Sequence, residues 1–422
     1  MVSRRSPARA FDLGDGKMAC IWMVYQDAVT PDLPGGTRHY DFGAEWARAG
    51  HRVALFAATV HLTTYSGNPK STGKRENCEC IDGVEFVWVP TIRYKVNNWR
   101  RVLNMILFAL NTVLTGWRRR AERPDVVIGS SPNLFAAVGA YWLSRLIGAR
   151  FVLEVRDLWP QSLIDLGVSP RHPIVLLFSW MESFLYHRAQ QIIVLAQGSI
   201  NYISAKGIEC SKIVYVPNGV HLDHFVVSAT REEGRAKYGF TKFTLGYVGV
   251  NGESHGLIYL VDAMATIDDP DIELVIIGNG PARPGLMQYV QDRAIANVRF
   301  MDPVPKTEVP LVLKALDAGV LSLRRADCFL YGISPNKLFD YMAASLPVLG
   351  IIDGWVADLI HSSRCGVVCN QEDAKSISAG IRLLAGKAPD ERSQMGQRGR
   401  EVIQQHYNRK TWASEYLQSI TV

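Results

Sequence analysis

Lys337 and Asp340 stand three residues apart in the stretch Ser334-Pro335-Asn336-Lys337-Leu338-Phe339-Asp340-Tyr341. A helix starting with Pro in its first turn leaves amide N–H groups and the positive end of its dipole open to an anion, and Lys337 adds a full charge. The combination suits a diphosphate. Asp340 falls on nearly the same helix face, where a carboxylate can accept hydrogen bonds from a ribose diol. An amphipathic helix with an intrahelical Lys–Asp pair has the same spelling.

A second constellation is Glu154-Val155-Arg156-Asp157-Leu158-Trp159-Pro160, an acid, a base and an aromatic at the end of an apolar run. Asp157 could orient an acceptor hydroxyl or take its proton, and Arg156 could hold a phosphate or a developing leaving-group charge. A structural Arg–Asp pair capping a helix is the alternative.

Two glycine loops follow apolar runs and precede helical patterns: Pro34-Gly35-Gly36-Thr37, with Thr37 as a polar N-cap, and Gly249-Val250-Asn251-Gly252-Glu253-Ser254-His255-Gly256. Glycine lets a backbone approach a phosphate closely, although a Gly-Gly turn also needs no ligand. Neither loop is G-x-G-x-x-G. Gly278-Asn279-Gly280 followed by Gly285 fails that spacing too, and no P-loop is present, which weighs against a dinucleotide cofactor.

The elements that must position these residues are short apolar runs alternating with helical patterns, the order of parallel sheets covered by helices. The pattern runs once to about residue 217 and restarts at Thr244, which predicts two doubly wound α/β units joined near Asn218–Arg231. Expected boundaries are a disordered polar leader at 1–17, domains at 18–225 and 226–400, and a C-terminal helix at 401–422 that packs back on the first domain. Ligands of such sheets bind at the C-terminal strand ends, so a cleft between facing units is the default site.

Composition fits that plan, with 48% hydrophobic and 20% charged residues across 422. The leader MVSRRSPARAFDLGDGK lacks the apolar region of a signal peptide, and seven cysteines read as reduced cytoplasmic thiols. Asp269-Pro270-Asp271, Cys78/Cys80, Cys365/Cys369 and His221/His224 read as ordinary surface or thiol positions, so no metal is expected.

Net charge is +6, and residues 93–123 carry eight basic residues against Glu122 alone. They enclose Val102–Trp117, whose polar Asn104, Asn111 and Thr115 form one narrow helical stripe. The remaining apolar face, flanked by Arg100, Arg101, Trp117, Arg118, Arg119 and Arg120, suits an anionic membrane surface. A buried domain helix with solvated arginine ends fits equally. Nothing points to nucleic acid.

Taken together, Gly35-Gly36-Thr37-Arg38, Glu154–Pro160, Val216-Pro217-Asn218-Gly219, Gly249–Gly256 and Ser334–Ala344 resemble glycosyltransferase family 4, most closely its L-fucosamine-type transferases of O-antigen and capsule assembly. The likeness runs from about Ala19 to Tyr416. It implies a GT-B fold of two facing Rossmann-like domains with an inter-domain cleft. The implied reaction is retaining transfer from a UDP-sugar to a polyprenyl-diphosphate-linked saccharide, without metal or other cofactor, by a cytoplasmic enzyme at the inner face of the cytoplasmic membrane. It also implies donor contacts from Gly35, Gly36, Gly249, Asn251, Glu253, His255, Ser334, Asn336, Lys337 and Asp340, and base contacts from the backbone of residues 302–304. Asp157, Arg156 and Lys337 would carry catalysis, with Glu154, Trp159 and Asn218 on the acceptor side.

Two positions depart from the family. Gly332 stands where the first of two spaced glutamates is usual, with Asp340 at the second, and His255 replaces the loop's usual cations. A deoxy or N-acetylated sugar would accommodate the first change. A nucleotide-sugar epimerase of the same architecture and a non-catalytic nucleotide-binding scaffold are the rival readings.

Overall fold

The computed structural model describes residues 18–33, 35–60, 77–94, 99–165 and 167–421. The polar leader, Pro34 and Lys95 lie outside them. The chain divides into two compact units, one of Met1–Pro217, Tyr331–Ser334 and Arg409–Val422, the other of Asn218–Leu330 and Pro335–Asn408. The division falls after Pro217 rather than at 225. Only the last helix, not the whole of 401–422, counts with the first unit.

The first unit contains strands β1 (Cys20–Val24), β2 (Arg52–Ala58), β3 (Asn77–Ile81), β4 (Val84–Val89), β5 (Val126–Ser130), β6 (Arg150–Val155), β7 (Gln191–Val194) and β8 (Ile213–Tyr215). They form one sheet in the order β3-β4-β2-β1-β5-β6-β7-β8. All neighbours are parallel except β3 and β4, a hairpin that is not among the expected elements. Its turn is Asp82-Gly83, both with positive φ (47° and 81°), the twist that two-residue hairpins favour.

Around this sheet lie α1 (Arg38–Arg48), α2 (Trp99–Arg118), α3 (Leu134–Ile147) and α4 (Pro173–Arg188). The inward strand residues alternate between two cores, as the period of a strand requires. Trp22, Phe56 and Phe151 pack with Phe108 of α2, Ala137 of α3 and Phe178 of α4. Ile21, Leu55 and Phe86 pack on the opposite face with Phe42 and Trp46 of α1.

The second unit contains β9 (Phe243–Val248), α5 (Leu257–Ala265), β10 (Ile272–Ile277), β11 (Val298–Met301), β12 (Ala318–Ser322), α6 (Asn336–Ala343), β13 (Val348–Ile351), β14 (Gly366–Cys369) and α7 (Pro389–His406). Its sheet is parallel throughout, in the order β11-β10-β9-β12-β13-β14. That is the doubly wound arrangement, whose strand order reverses between β9 and β12 and opens a crevice at their C-terminal ends. The last helix, α8 (Arg409–Thr421), covers the first unit's second core with Ala413, Tyr416 and Ile420, and Trp46 donates to the Ala413 carbonyl at 2.8 Å.

Candidate active site

In the second unit the reversal point is built by two strands that part early. β9 and β12 pair only at Leu245 with Ala318 and Gly246 with Gly319. Beyond that the Tyr341 hydroxyl bridges them, accepting from the Val248 amide and donating to the Val320 carbonyl, both at 3.2 Å. The ring fits because Gly319 has no side chain to meet it. Tyr341 lies on α6 one turn beyond Lys337, so the bridge fixes the helix that carries the cation.

Lys337 is held at this point. Its Nζ donates to the Tyr247 hydroxyl at 2.6 Å and sits 4.4 Å from that ring's centroid. The same hydroxyl donates to the Val250 carbonyl at 2.7 Å. Burial pushes Tyr247 far above its ordinary value, so it stays neutral and gives Lys337 a hydrogen bond without a counter-charge. Burial lowers Lys337 to about 7, with Asp340 pulling the other way.

The Gly249 loop turns over this lysine. Gly249 has φ +143°, and any side chain there would strike the Lys337 stem. Asn251 is fully buried, with neither amide atom of its side chain hydrogen-bonded. His255 closes the loop, its Nδ1 accepting from the Gly252 amide at 3.3 Å and its carbonyl accepting from Ser322 on β12 at 2.6 Å. Burial, with Lys337 adding to it, pushes His255 down to about 3, so it is a neutral ring in place of a cation. Glu253 is exposed on this loop, while Asp340 and Ser334 are half-buried and Asn336 is exposed.

Helix α6 begins at Asn336, as expected. Pro335 is its N-cap and lacks an N–H, so the available first-turn donors are Asn336 and Lys337, not the whole Ser334–Asn336 run. Leu338 already donates to the Pro335 carbonyl at 3.1 Å.

Gly278 and Gly280, set aside for failing a dinucleotide spacing, form the floor of the loop. A side chain on either would collide with the backbone of Gly249 or Asn251. Asn251 donates to the Asn279 carbonyl at 2.9 Å and accepts from Ala282 at 3.0 Å. Arg283 ties the Gly278 carbonyl at 2.9 Å and pairs with the exposed Asp302 at 2.9 Å. The missed signal is two glycines one residue apart immediately after β10.

In the first unit Glu154 is not an exposed acceptor contact. It is fully buried at the end of β6, where it accepts from Arg38 Nε at 3.2 Å and from the Tyr416 hydroxyl at 3.0 Å, with His39 Nε2 3.0 Å from its other oxygen. Burial alone would raise Glu154, yet Arg38, His39 and Arg156 together hold it well below the usual carboxylate range. Its work is structural. Arg38 continues to the carbonyls of Pro217 and Val216, so the charge also fixes the chain just after β8.

Arg156 and Asp157 lie where β6 ends, and both amides turn toward Ser131 Oγ, at 2.8 and 3.3 Å. The Arg156 guanidinium stacks 4.4 Å over Tyr25, which in turn stacks on His39 at 4.3 Å. Its Nη1 is buried without a hydrogen-bond partner. Gly35 and Gly36 are exposed, and a Cβ on Gly36 would lie 3.7 Å from Arg156 Nη2, so the first glycine loop and this guanidinium form one group. Thr37 does not cap α1 with its hydroxyl, which donates instead to Asp41 at 2.7 Å. Asp157 is exposed, whereas Trp159 is half-buried edge-to-face against Phe178 at 5.7 Å. Asn218 is buried and opens the second unit's chain.

Of the six residues assigned to a membrane contact, Arg119 does not qualify. Its guanidinium is taken by Glu85 and by Glu122, the latter at 2.7 Å. Arg100, Trp117, Arg118 and Arg120 are exposed, and Arg101 is half-buried. Among the described residues no helix is long and apolar enough to cross a membrane.

Residues 35–219 match the Glycosyl transferase 4-like domain family, and residues 242–386 match Glycosyl transferases group 1. The chain is built from two glycosyltransferase domains. This glycosyltransferase is 25% identical over 378 residues to WcaI of Escherichia coli (strain K12), described as a colanic acid biosynthesis glycosyl transferase, across 85% of this chain and 91% of that one. It is 22% identical to the chitobiosyldiphosphodolichol beta-mannosyltransferase of Mus musculus, across 64% of each. Its fold matches sucrose-phosphate synthase from Thermosynechococcus elongatus with a TM-score of 0.77 at 17% identity, covering 96% and 98% of the two chains. It also matches Anabaena HepE in complex with UDP-glucose, with a TM-score of 0.69 at 14% identity, covering 95% and 99%. The architecture is therefore GT-B.

Proposed function

We propose that this glycosyltransferase moves a deoxy or N-acetylated hexosamine from a UDP-sugar to a polyprenyl-diphosphate-linked saccharide during surface polysaccharide synthesis, with retention at the anomeric carbon. The enzyme would work at the inner face of the cytoplasmic membrane. The observation that carries the reading is Lys337, a lysine with a depressed pKa and a neutral partner, set at the first turn of α6 beneath a glycine loop. A diphosphate would supply the counter-charge that Tyr247 withholds. Support for uridine comes from HepE, solved with UDP-glucose, and for a lipid diphosphate acceptor from the mannosyltransferase named for one. The bacterial relative's description as a colanic acid biosynthesis glycosyl transferase supports the polysaccharide context.

In this reading the acceptor hydroxyl oxygen bonds to the anomeric carbon as the bond from that carbon to the diphosphate oxygen breaks. The hydroxyl proton goes to Asp157, and the electrons of the broken bond stay on the leaving diphosphate. Lys337 and the first amides of α6 stabilise that charge, so metal is not needed. Asp340 binds the ribose, while Asn251, Glu253 and neutral His255 meet the sugar. On the acceptor side Asp157 orients the hydroxyl and Arg156 holds phosphate. The L-fucosamine-type assignment is the finest form of this proposal.

The test is a thermal-shift screen against UDP, GDP, ADP and their sugars, followed by transfer to a polyprenyl-diphosphate saccharide with the product's anomeric configuration read by NMR. A selective UDP shift and a retained configuration are expected. Epimerised donor without acceptor, or UDP binding with no turnover on any acceptor, would replace transfer by the epimerase or scaffold reading.

A further inference from the structure

Helix α2 buries the polar and small residues Asn104, Thr112 and Gly116 beside Phe108 and Ala109. Asn104 accepts from Gln26 and donates to the Ile92 carbonyl, both at 2.5 Å, and Gly116 leaves room for Leu143 of α3. The opposite stripe, which includes Trp99 (66% exposed), Leu110 (56%) and Leu114 (52%), faces outward. The same holds for the helices beside it in the layer. Trp142 (53%) and Leu146 (59%) are exposed on α3, and Trp180 (63%) on α4. Ring contacts run without a break from Trp142 through Tyr141 and Phe184 to Trp180, at 5.3, 5.1 and 5.7 Å, so the outward faces of α3 and α4 adjoin.

Charge narrows the chemistry that suits this face. Helices α2 and α3 contain no carboxylate, and Glu182 of α4 is buried, whereas Arg100, Arg118, Arg120, Arg145 and Arg188 are exposed. Arg100 and Arg120 lie over the rings of Trp99 and Trp117, at 5.6 and 4.2 Å. Tryptophan beside arginine, with leucine between and no acid, suits the boundary between anionic headgroups and acyl chains. A second copy fits poorly, because a two-fold contact sets this arginine-rich surface against itself.

We propose that the outward faces of α2, α3 and α4 form one docking platform for an anionic lipid bilayer, wider than the basic helix by itself and anchored by Trp142 and Trp180 as well as by α2. The platform stands independently of the transfer chemistry.

The full-length protein would be sedimented with phosphatidylcholine vesicles that do or do not contain phosphatidylglycerol, with tryptophan emission recorded in parallel. Binding confined to the anionic vesicles, weakened by salt and accompanied by a blue shift, is expected. Each of Arg100→Gln, Arg118→Gln and Arg120→Gln should weaken it roughly fivefold. Leu110→Gln with Leu114→Gln, and separately Trp142→Gln with Trp180→Gln, should each abolish it while leaving the thermal midpoint in place. Native binding by the Trp142/Trp180 pair variant would overturn the three-helix platform. Equal binding to neutral vesicles, no vesicle binding, or a dimer in sedimentation velocity that the same variants dissociate would overturn the bilayer as occupant. A UDP thermal shift on the same samples separates failure here from failure of the donor site.

Discussion

The Lys337 ammonium and the Tyr247 hydroxyl lie 2.6 Å apart, and the hydroxyl donates its own hydrogen bond to the Val250 carbonyl. One phenol therefore aims the cation and pins the glycine loop above it. Tyr247→Phe keeps the ring but removes both bonds. Transfer should fall about tenfold or more, as expected for losing a hydrogen bond to a charged group, with the thermal midpoint lowered only slightly. Unchanged kcat/KM in that variant would leave Tyr247 a packing residue.

Because Lys337 sits near pKa 7 without ligand, much of it is neutral above that pH. An anion binds the protonated form and raises the pKa, so diphosphate affinity should be fullest below pH 7. Above it, affinity should decline by up to about tenfold per pH unit until the pKa of the complex is reached. Calorimetry of UDP binding at pH 8, in buffers of different ionisation enthalpy, should show uptake of close to one proton. Lys337→Met should show none, and uptake persisting in that variant would assign the proton elsewhere.

How far these features can be read from the chain differs by kind. The alternation of apolar runs and helices fixes two parallel sheets, since each strand buried on both faces declares itself. The Asp82-Gly83 hairpin was readable too, but β3 is short and partly polar, so only its turn marks it. Lys337 stood out because Pro, Lys and Asp cluster at a helix start. Tyr247 did not, since an aromatic inside a strand normally signals core, and only the fold brings its hydroxyl to Lys337. Glu154 misled for the opposite reason. An acid at a strand end looks accessible until Arg38 and Tyr416, distant in sequence, arrive to bury it.

Gly278 and Gly280 offer a geometric test of the loop floor. Both have φ beyond +130°, and a Cβ on either would strike the facing backbone, which cannot move as a flexible side chain could. Gly278→Ala or Gly280→Ala should displace the Gly249 loop and abolish the UDP thermal shift. Gly285→Ala, where a Cβ meets nothing within 4 Å, should leave the shift as it is. Equal nucleotide binding by all three variants would show that the loop is not part of the donor site.

Glu154 should govern stability rather than chemistry. Removing it leaves Arg38 buried against carbonyls without its counter-charge, so Glu154→Ala should cost ~3–5 kcal/mol in denaturant unfolding. Glu154→Gln, which keeps the shape, should cost less. The folded pKa is depressed, so the stabilisation is present above the ordinary glutamate range and is lost as pH falls through it toward the folded value. Burial also lowers His39, which makes the unfolded chain the better proton binder below about 6.5 and steepens the same acid loss. The native protein should therefore lose stability progressively from about pH 6.5 downward, and Glu154→Gln should flatten the lower part of that curve. Parallel pH profiles for the two proteins would mean that the buried pair does not carry the acid sensitivity.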